Sequence, residues 1–238
     1  MAGHSKWANI KHKKAREDEK RGKIFTKLSK EITLVAREGG GDPNGNARLR
    51  LLIEKAREVN MPQDNIIRAI KKGTGELPGL AYEQCTYEGY GPHGIAVMVD
   101  LLTDNKNRIA AEMRRLFSQY GGSLGETGSV SWMFHKLGLV KLPSCAWSED
   151  QLIDALIDFD IQDIQKEEQG YTLYTDPKSL DLVRQKLQSL GLKVESAELE
   201  WVPKNPFNLS EEQAQKAYDF LSELDDHDDV SNVFTNLA

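Results

Sequence analysis

The hydrophobic period of this 238-residue chain changes at Leu77-Pro78-Gly79, and that change limits the fold more than any other feature. Before it, apolar residues recur every three or four positions, the spacing of one helix face. Ile24, Leu28, Ile32 and Val35 lead to a stop at Gly39-Gly40-Gly41. Leu49, Leu52, Ile53 and Ala56 follow over 47–59, and Ile66, Ile67 and Ile70 run to a stop at Gly73. Asp42-Pro43-Asn44-Gly45 reads as a turn, and Pro62 stands where a third helix should begin, its missing N–H being one a helix start leaves unbonded anyway. Beyond Gly79 the period shortens. Tyr82–Tyr87 and Ile95–Leu102 read as strands, 106–119 as a helix with Ile109, Met113, Leu116 and Phe117 inward, and Ser129–His135 as another strand. A purely helical or purely β fold is excluded.

The rest of the chain holds a self-contained pattern. Leu139–Leu142 is a short strand, Ser148 and Gln151 cap a helix carrying Leu152, Leu156 and Phe159, and strands Ile161–Lys166 and Tyr171–Thr175 turn at Gly170. Pro177 opens a helix with Leu180, Val183, Leu187 and Leu190, and Lys193–Trp201 closes the unit. Strand-helix-strand-strand-helix-strand is the ferredoxin-like order. Ser210 and Gln213 then cap a last helix, with Ala214, Ala217, Tyr218, Leu221 and Leu224 seeking a partner. The expected fold is α+β in three domains. A helical bundle with a basic arm occupies 1–78, a discontinuous α/β domain 79–136 with 206–238, and an inserted ferredoxin-like domain 137–205.

Composition excludes several classes. The longest apolar stretch, Ile95–Leu102, is broken by Asp100 and far short of the ~20 residues of a membrane helix. The basic start is followed by more charge instead of an apolar segment, so no signal peptide is read, and Glu17-Asp18-Glu19 argues against a mitochondrial presequence. Cys85 and Cys145 have no metal-ligand spacing and suit a reducing compartment. The expectation is a cytoplasmic protein with no membrane contact.

Catalytic and ligand motifs are weak. Gly89-Tyr90-Gly91-Pro92-His93-Gly94 has the G-x-G-x-x-G spacing but leads into a strand, where a dinucleotide site needs a helix N-terminus, so a hairpin turn is expected. Gly121–Gly128 lacks the Lys-Ser/Thr of a phosphate loop and reads as a connection. Asp225, Asp226, His227, Asp228 and Asp229 read as a solvated acidic end of the last helix. The five histidines are scattered, and no G-x-S-x-G elbow offers a nucleophile. No enzyme activity, small-molecule substrate, cofactor or metal is expected.

Charge is the informative signal. The chain carries −6 overall, but residues 1–75 carry +9 and the remainder −15. Such a division points to a polyanion held at the basic end and repelled elsewhere. The basic group is Lys6, Lys11, Lys13, Lys14, Arg16, Lys20, Arg21 and Lys23, continuing as Lys27 and Lys30. Residues 1–23 show almost no apolar periodicity and read as an arm that is mobile alone or orders on a partner. Lysines neutralise phosphates, and Trp7 either stacks on an unpaired base, worth roughly 1–3 kcal/mol, or pins the arm to its own domain.

The run Ala2–Lys14, Ala-Gly-His-Ser-Lys-Trp-Ala-Asn-Ile-Lys-His-Lys-Lys, resembles the opening of the YebC/PmpR family. Gly41–Asn46, Asn60-Met61-Pro62, Gly89–Gly94, Asp104–Arg108, Gly121–Gly125 and Gly128–Phe134 extend the resemblance over essentially the whole chain. It implies a helical domain and two α/β domains, the last inserted in the second, with no catalysis and no cofactor. Bacterial members are described as cytoplasmic DNA-binding transcriptional regulators. A mitochondrial relative is described as an activator of the translation of a cytochrome oxidase subunit, and some bacterial members as ribosome-acting factors that relieve stalling. The resemblance transfers the contact role to Lys6, Trp7, Lys11, Lys13 and Lys14. DNA is the expected partner, with ribosomal RNA on the ribosome as the alternative.

Overall fold

The computed structural model describes residues 18–167 and 170–238. Three helices come first: α1 (Asp18–Gly39), α2 (Ala47–Glu58) and α3 (Gln63–Gly73). Leu28, Ile32 and Val35 of α1 pack with Leu49, Ile53 and Ala56 of α2 and with Ile66 and Ala69 of α3. Asn46 starts α2 by accepting the Leu49 N–H at 3.1 Å, while its amide group donates to the carbonyls of Val35 and Gly40. One side chain thus starts a helix and fixes the preceding loop to α1. Gly73 lets α3 approach α1 closely, since a Cβ there would press on the Thr33 carbonyl and the Ala36 methyl. Pro62 precedes the first helical residue of α3, as its N-cap.

The next elements are β1 (Glu83–Tyr90), β2 (Ala96–Thr103), α4 (Lys106–Gln119) and the two-residue β3 (Ser123–Leu124). Much later come α7 (Glu211–Asp225) and β8 (Val230–Thr235), and the sheet order is β3-β1-β2-β8. Val97, Val99 and Leu101 of β2 face Ile109, Met113 and Phe117 of α4 and Phe220, Leu221 and Leu224 of α7. Phe117 and Phe220 meet edge to face, their centroids 4.9 Å apart. The G-x-G-x-x-G segment is the expected hairpin: Gly91 donates to the Ile95 carbonyl at 2.8 Å, and Tyr90 pairs with Ala96.

The strand expected over Ser129–His135 is corrected. Ser131–Met133 is a 3-10 turn, and a strand begins only at Phe134. The cause is Glu88 on β1, whose carboxylate accepts the N–H groups of Gly128 (3.0 Å), Val130 (3.0 Å) and Ser131 (2.8 Å). Those N–H groups are withdrawn from any strand ladder. Burial raises the Glu88 pKa, but the three backbone donors outweigh it and hold the carboxyl below its ordinary value.

A second compact unit, Lys136–Val202, is separate from the one formed by the described residues through His135 with Pro203–Ala238. It contains most of β4 (Phe134–Pro143), then α5 (Glu149–Ala155), β5 (Ile161–Glu167), β6 (Gly170–Thr175), α6 (Leu180–Ser189) and most of β7 (Ser196–Pro203). The order β5-β6-β4-β7, with β6 antiparallel to both neighbours, is the ferredoxin-like sheet inserted between β3 and α7. Two boundaries differ from expectation. Asp176–Ser179 is a turn, with Ser179 donating to the Asp176 carbonyl, so α6 starts three residues after Pro177. Residues 193–195 precede β7 instead of opening it.

Candidate nucleic-acid interface

Six of the nine expected contact residues, Lys6, Trp7, Lys11, Lys13, Lys14 and Arg16, lie outside the described residues. Lys20, Arg21 and Lys23 belong to α1, which corrects the expected helix start at Ile24 and takes 18–23 out of the expected arm, the rest of which lies outside the described residues. The helix therefore begins more than a turn before its apolar stripe.

Lys23, Lys27 and Lys30 are spaced four and three apart, which puts them on one face of α1. They donate to the carbonyls of Asp226 (3.1 Å), Asp225 and Asp228 (2.9 Å) respectively. Those carbonyls sit at and just beyond the C-terminal end of α7, where unpaired C=O groups carry partial negative charge. The backbone of the acidic run is therefore bound to α1; Asp226 and Asp228 are exposed, as a solvated helix end requires, and the reading is corrected at Asp229. Asp229 is its buried member, accepting from Lys30 Nζ at 2.7 Å, Arg108 Nη2 at 2.6 Å and Thr103 Oγ1 at 3.1 Å. Burial pushes the Asp229 carboxyl up, but these donors prevail and hold it below its ordinary value. The Asp229 N–H donates to His227 Nδ1 at 3.1 Å, which leaves Nε2 to carry the proton and donate to Glu112 at 2.8 Å. Lys23, Lys30, Tyr82, Arg108, Glu112 and His227 line the resulting groove. Its cations already have oxygen partners, so a phosphate entering here must displace Asp229.

The outward face of α3 is different. Arg68, Lys71 and Lys72 are exposed at i, i+3 and i+4, beside Ile67, which is 42% exposed. Ile67 was expected inside with Ile66 and Ile70. Because α3 turns Ile66, Ala69 and Gly73 inward, Ile67 lies about 100° around the helix from Ile66. The sequence reading did not single out these three cations, although their helical spacing was its available signal. A four-residue connection joins α2 to α3, and Asn60 takes a left-handed φ of 59° within it. Among the described residues, no group of three or more His, Cys, Asp or Glu side chains could hold a metal ion. No helix there is long and apolar enough to cross a membrane.

Two family models match the chain: the TACO1/YebC protein N-terminal domain over residues 5–76, and the TACO1/YebC second and third domain over 82–237. A probable transcriptional regulatory protein of Halothermothrix orenii is 52% identical, over 99% of this chain and 94% of its own. One from Chlorobaculum tepidum is 51% identical, over 100% and 95%. The crystal structure of a conserved hypothetical protein from Aquifex aeolicus superposes with a TM-score of 0.83 at 43% identity, covering 93% of this chain and 91% of that one. With family models over both parts of its length and half its residues shared with these relatives, the chain belongs to the TACO1/YebC family.

Proposed function

We propose that this protein is a non-enzymatic regulator of gene expression that binds DNA through its first 75 residues. The observation that carries the reading is the charge division, +9 in residues 1–75 against −15 in the rest. The names of the relatives, probable transcriptional regulatory proteins, support the same class of action. Phosphate contacts fall to Lys6, Lys11, Lys13, Lys14 and Arg16, with Lys20 and Arg21 at the start of α1 and with Arg68, Lys71 and Lys72 on α3. Lys23 is the weakest member of the expected set, because it already donates to the Asp226 carbonyl.

The test is retention of a preferred promoter fragment by the full chain under competitor DNA. A ratio of specific to non-specific affinity of at least ~10³ is expected. One observation favours the ribosomal alternative. The exposed side chains of α3 include Asp64 and Ile67, neither suited to a guanine edge or a phosphate, so α3 resembles a shape reader more than a base reader. Firm co-sedimentation with ribosomes, with only sequence-blind and salt-sensitive DNA binding, replaces the first reading by the second.

A further inference from the structure

Trp132 is the most exposed aromatic side chain among the described residues, at 63%. It is not loosely held. Its indole Nε1–H donates to the Ser129 carbonyl at 3.1 Å, and the same carbonyl accepts the Tyr90 hydroxyl at 3.3 Å. Met133 closes the turn by donating to the Val130 carbonyl at 2.9 Å, and Val130 is fully buried beneath it. The three N–H groups gripped by Glu88 lie at Gly128, Val130 and Ser131, immediately before the indole.

An exposed tryptophan forfeits the solvent exclusion that a buried one would gain. Here its one polar atom is satisfied within the turn, so the ring offers a partner only its faces and edges. The clamp below removes much of the conformational freedom that binding would otherwise have to freeze. Residues 76–238 are acidic overall, and Glu88 lies under this turn, but one exposed cation adjoins it. Lys204, whose side chain is exposed, donates its backbone N–H to the Met133 carbonyl at 2.8 Å and so adjoins the segment holding Trp132. His135 is exposed three residues on, and neither Lys204 nor His135 has an ion-pair partner among the described residues. A fixed aromatic face on a turn adjoined by Lys204 fits an unpaired nucleotide, whose base can stack and whose phosphate can meet a cation.

We infer that Trp132 is a stacking platform for an unpaired base of a bound nucleic acid, at a site apart from the basic residues of 1–75. The inference rests on the nucleic-acid reading above and narrows it, because a base in a continuous duplex hides both its faces.

The experiment compares full-length wild-type protein with Trp132→Ala and Trp132→Phe. Each is titrated against a mixed-sequence single-stranded RNA, the same sequence as single-stranded DNA, and the DNA duplex. Trp132→Ala is expected to weaken single-strand binding roughly 5- to 150-fold, with an unchanged salt slope and little effect on duplex. Trp132→Phe should keep most of the affinity, and the melting temperature of all three proteins should agree. Equal single-strand affinity of wild type and Trp132→Ala overturns the inference while leaving nucleic-acid binding intact. Equal losses on single strand and duplex also overturn it, pointing to a general disturbance. Wild-type protein that binds none of the three ligands overturns both the inference and the reading beneath it. A Trp132→Ala variant that keeps its nucleic-acid affinity but loses a protein partner assigns the platform to that partner instead.

Discussion

Lys30 of α1 and Asp229 in the turn before β8 stand 199 positions apart in sequence and meet at 2.7 Å, their side chains only 14% and 9% exposed. The pair joins the helical region to the sheet that follows it. Its carboxylate also serves Arg108 and Thr103. Replacing Asp229 by Ala removes the counter-charge of a largely buried ammonium and one acceptor of the buried Thr103 hydroxyl, leaving them only the carbonyls of Asp228 and Asn105, and about 2–4 kcal/mol of stability should be lost. Denaturant melts of the two proteins measure this directly, and a difference within ~0.5 kcal/mol would show the pair to be energetically idle.

Stability should also fall on acidification. Asp229 and Glu88 both have folded pKa values below their ordinary 3.8 and 4.5. Each therefore contributes stability that is fully present above its ordinary value and is lost as pH falls through the lower folded value. Urea midpoints between about pH 3 and 7 should decline at the acid end, and less steeply for Asp229→Asn with Glu88→Gln. Parallel pH curves for wild type and the double variant would contradict the assignment.

Glu88→Gln tests the clamp under Trp132. A glutamine side chain keeps one acceptor oxygen and turns an NH2 group toward backbone donors, so at least one of the three N–H groups loses its partner. A cost of about 1–3 kcal/mol is expected. Tryptophan fluorescence should report greater mobility of Trp132, separated from the other three tryptophans by repeating the measurement in a Trp132→Phe background. Unchanged stability and fluorescence would mean the turn holds itself.

Two sets of three lysines should respond in opposite ways. Lys11, Lys13 and Lys14 replaced together by Ala should leave the melting temperature unchanged and flatten the slope of log K against log salt by about 2.7 on duplex DNA. Lys23, Lys27 and Lys30 replaced together should lower the melting temperature, since they satisfy carbonyls beyond α7, and should alter the salt slope less. Salt titrations of both variants decide it, and a reversed pattern would move the contact surface onto α1.

Arg68, Lys71 and Lys72 provide a third set. If all three meet phosphates, their joint replacement by Ala should flatten the duplex slope by a similar ~2.7 with no loss of fold, because all three are exposed. An unchanged slope would confine the contact to residues before α3.

The elements that sequence revealed are those whose own residues determine them. α4 is bounded as its apolar spacing predicts, and both capping boxes, Ser148 with Gln151 and Ser210 with Gln213, start their helices. The ferredoxin-like order followed from local period together with turn and cap residues such as Gly170 and Ser148. Features imposed by distant residues were illegible. Ser129–Met133 alternates like a strand, yet Glu88, more than 40 positions away, takes its N–H groups. β8 went unread because Val230-Ser-Asn-Val-Phe-Thr follows an acidic run, and only β2 gives it a ladder. Nothing local in Asp225–Asp229 signals that three lysines near the other end of the chain will bind it. The groove and the fixed Trp132 are products of tertiary contact, so the sequence could name their residues without joining them.

The pairing of β8 with β2 also sets an order in time. A chain made from its amino end supplies β1, β2 and α4 early, but the helix that covers their sheet and the strand that completes its edge arrive only after residue 210. The inserted unit, whose elements run from β4 to β7 and end at Pro203, is complete before then. During synthesis the later-encoded unit can finish first, while apolar Val97, Val99 and Leu101 wait uncovered for α7. A nascent chain halted short of β8 therefore exposes an unfinished sheet, and that interval is when this protein is most vulnerable to aggregation.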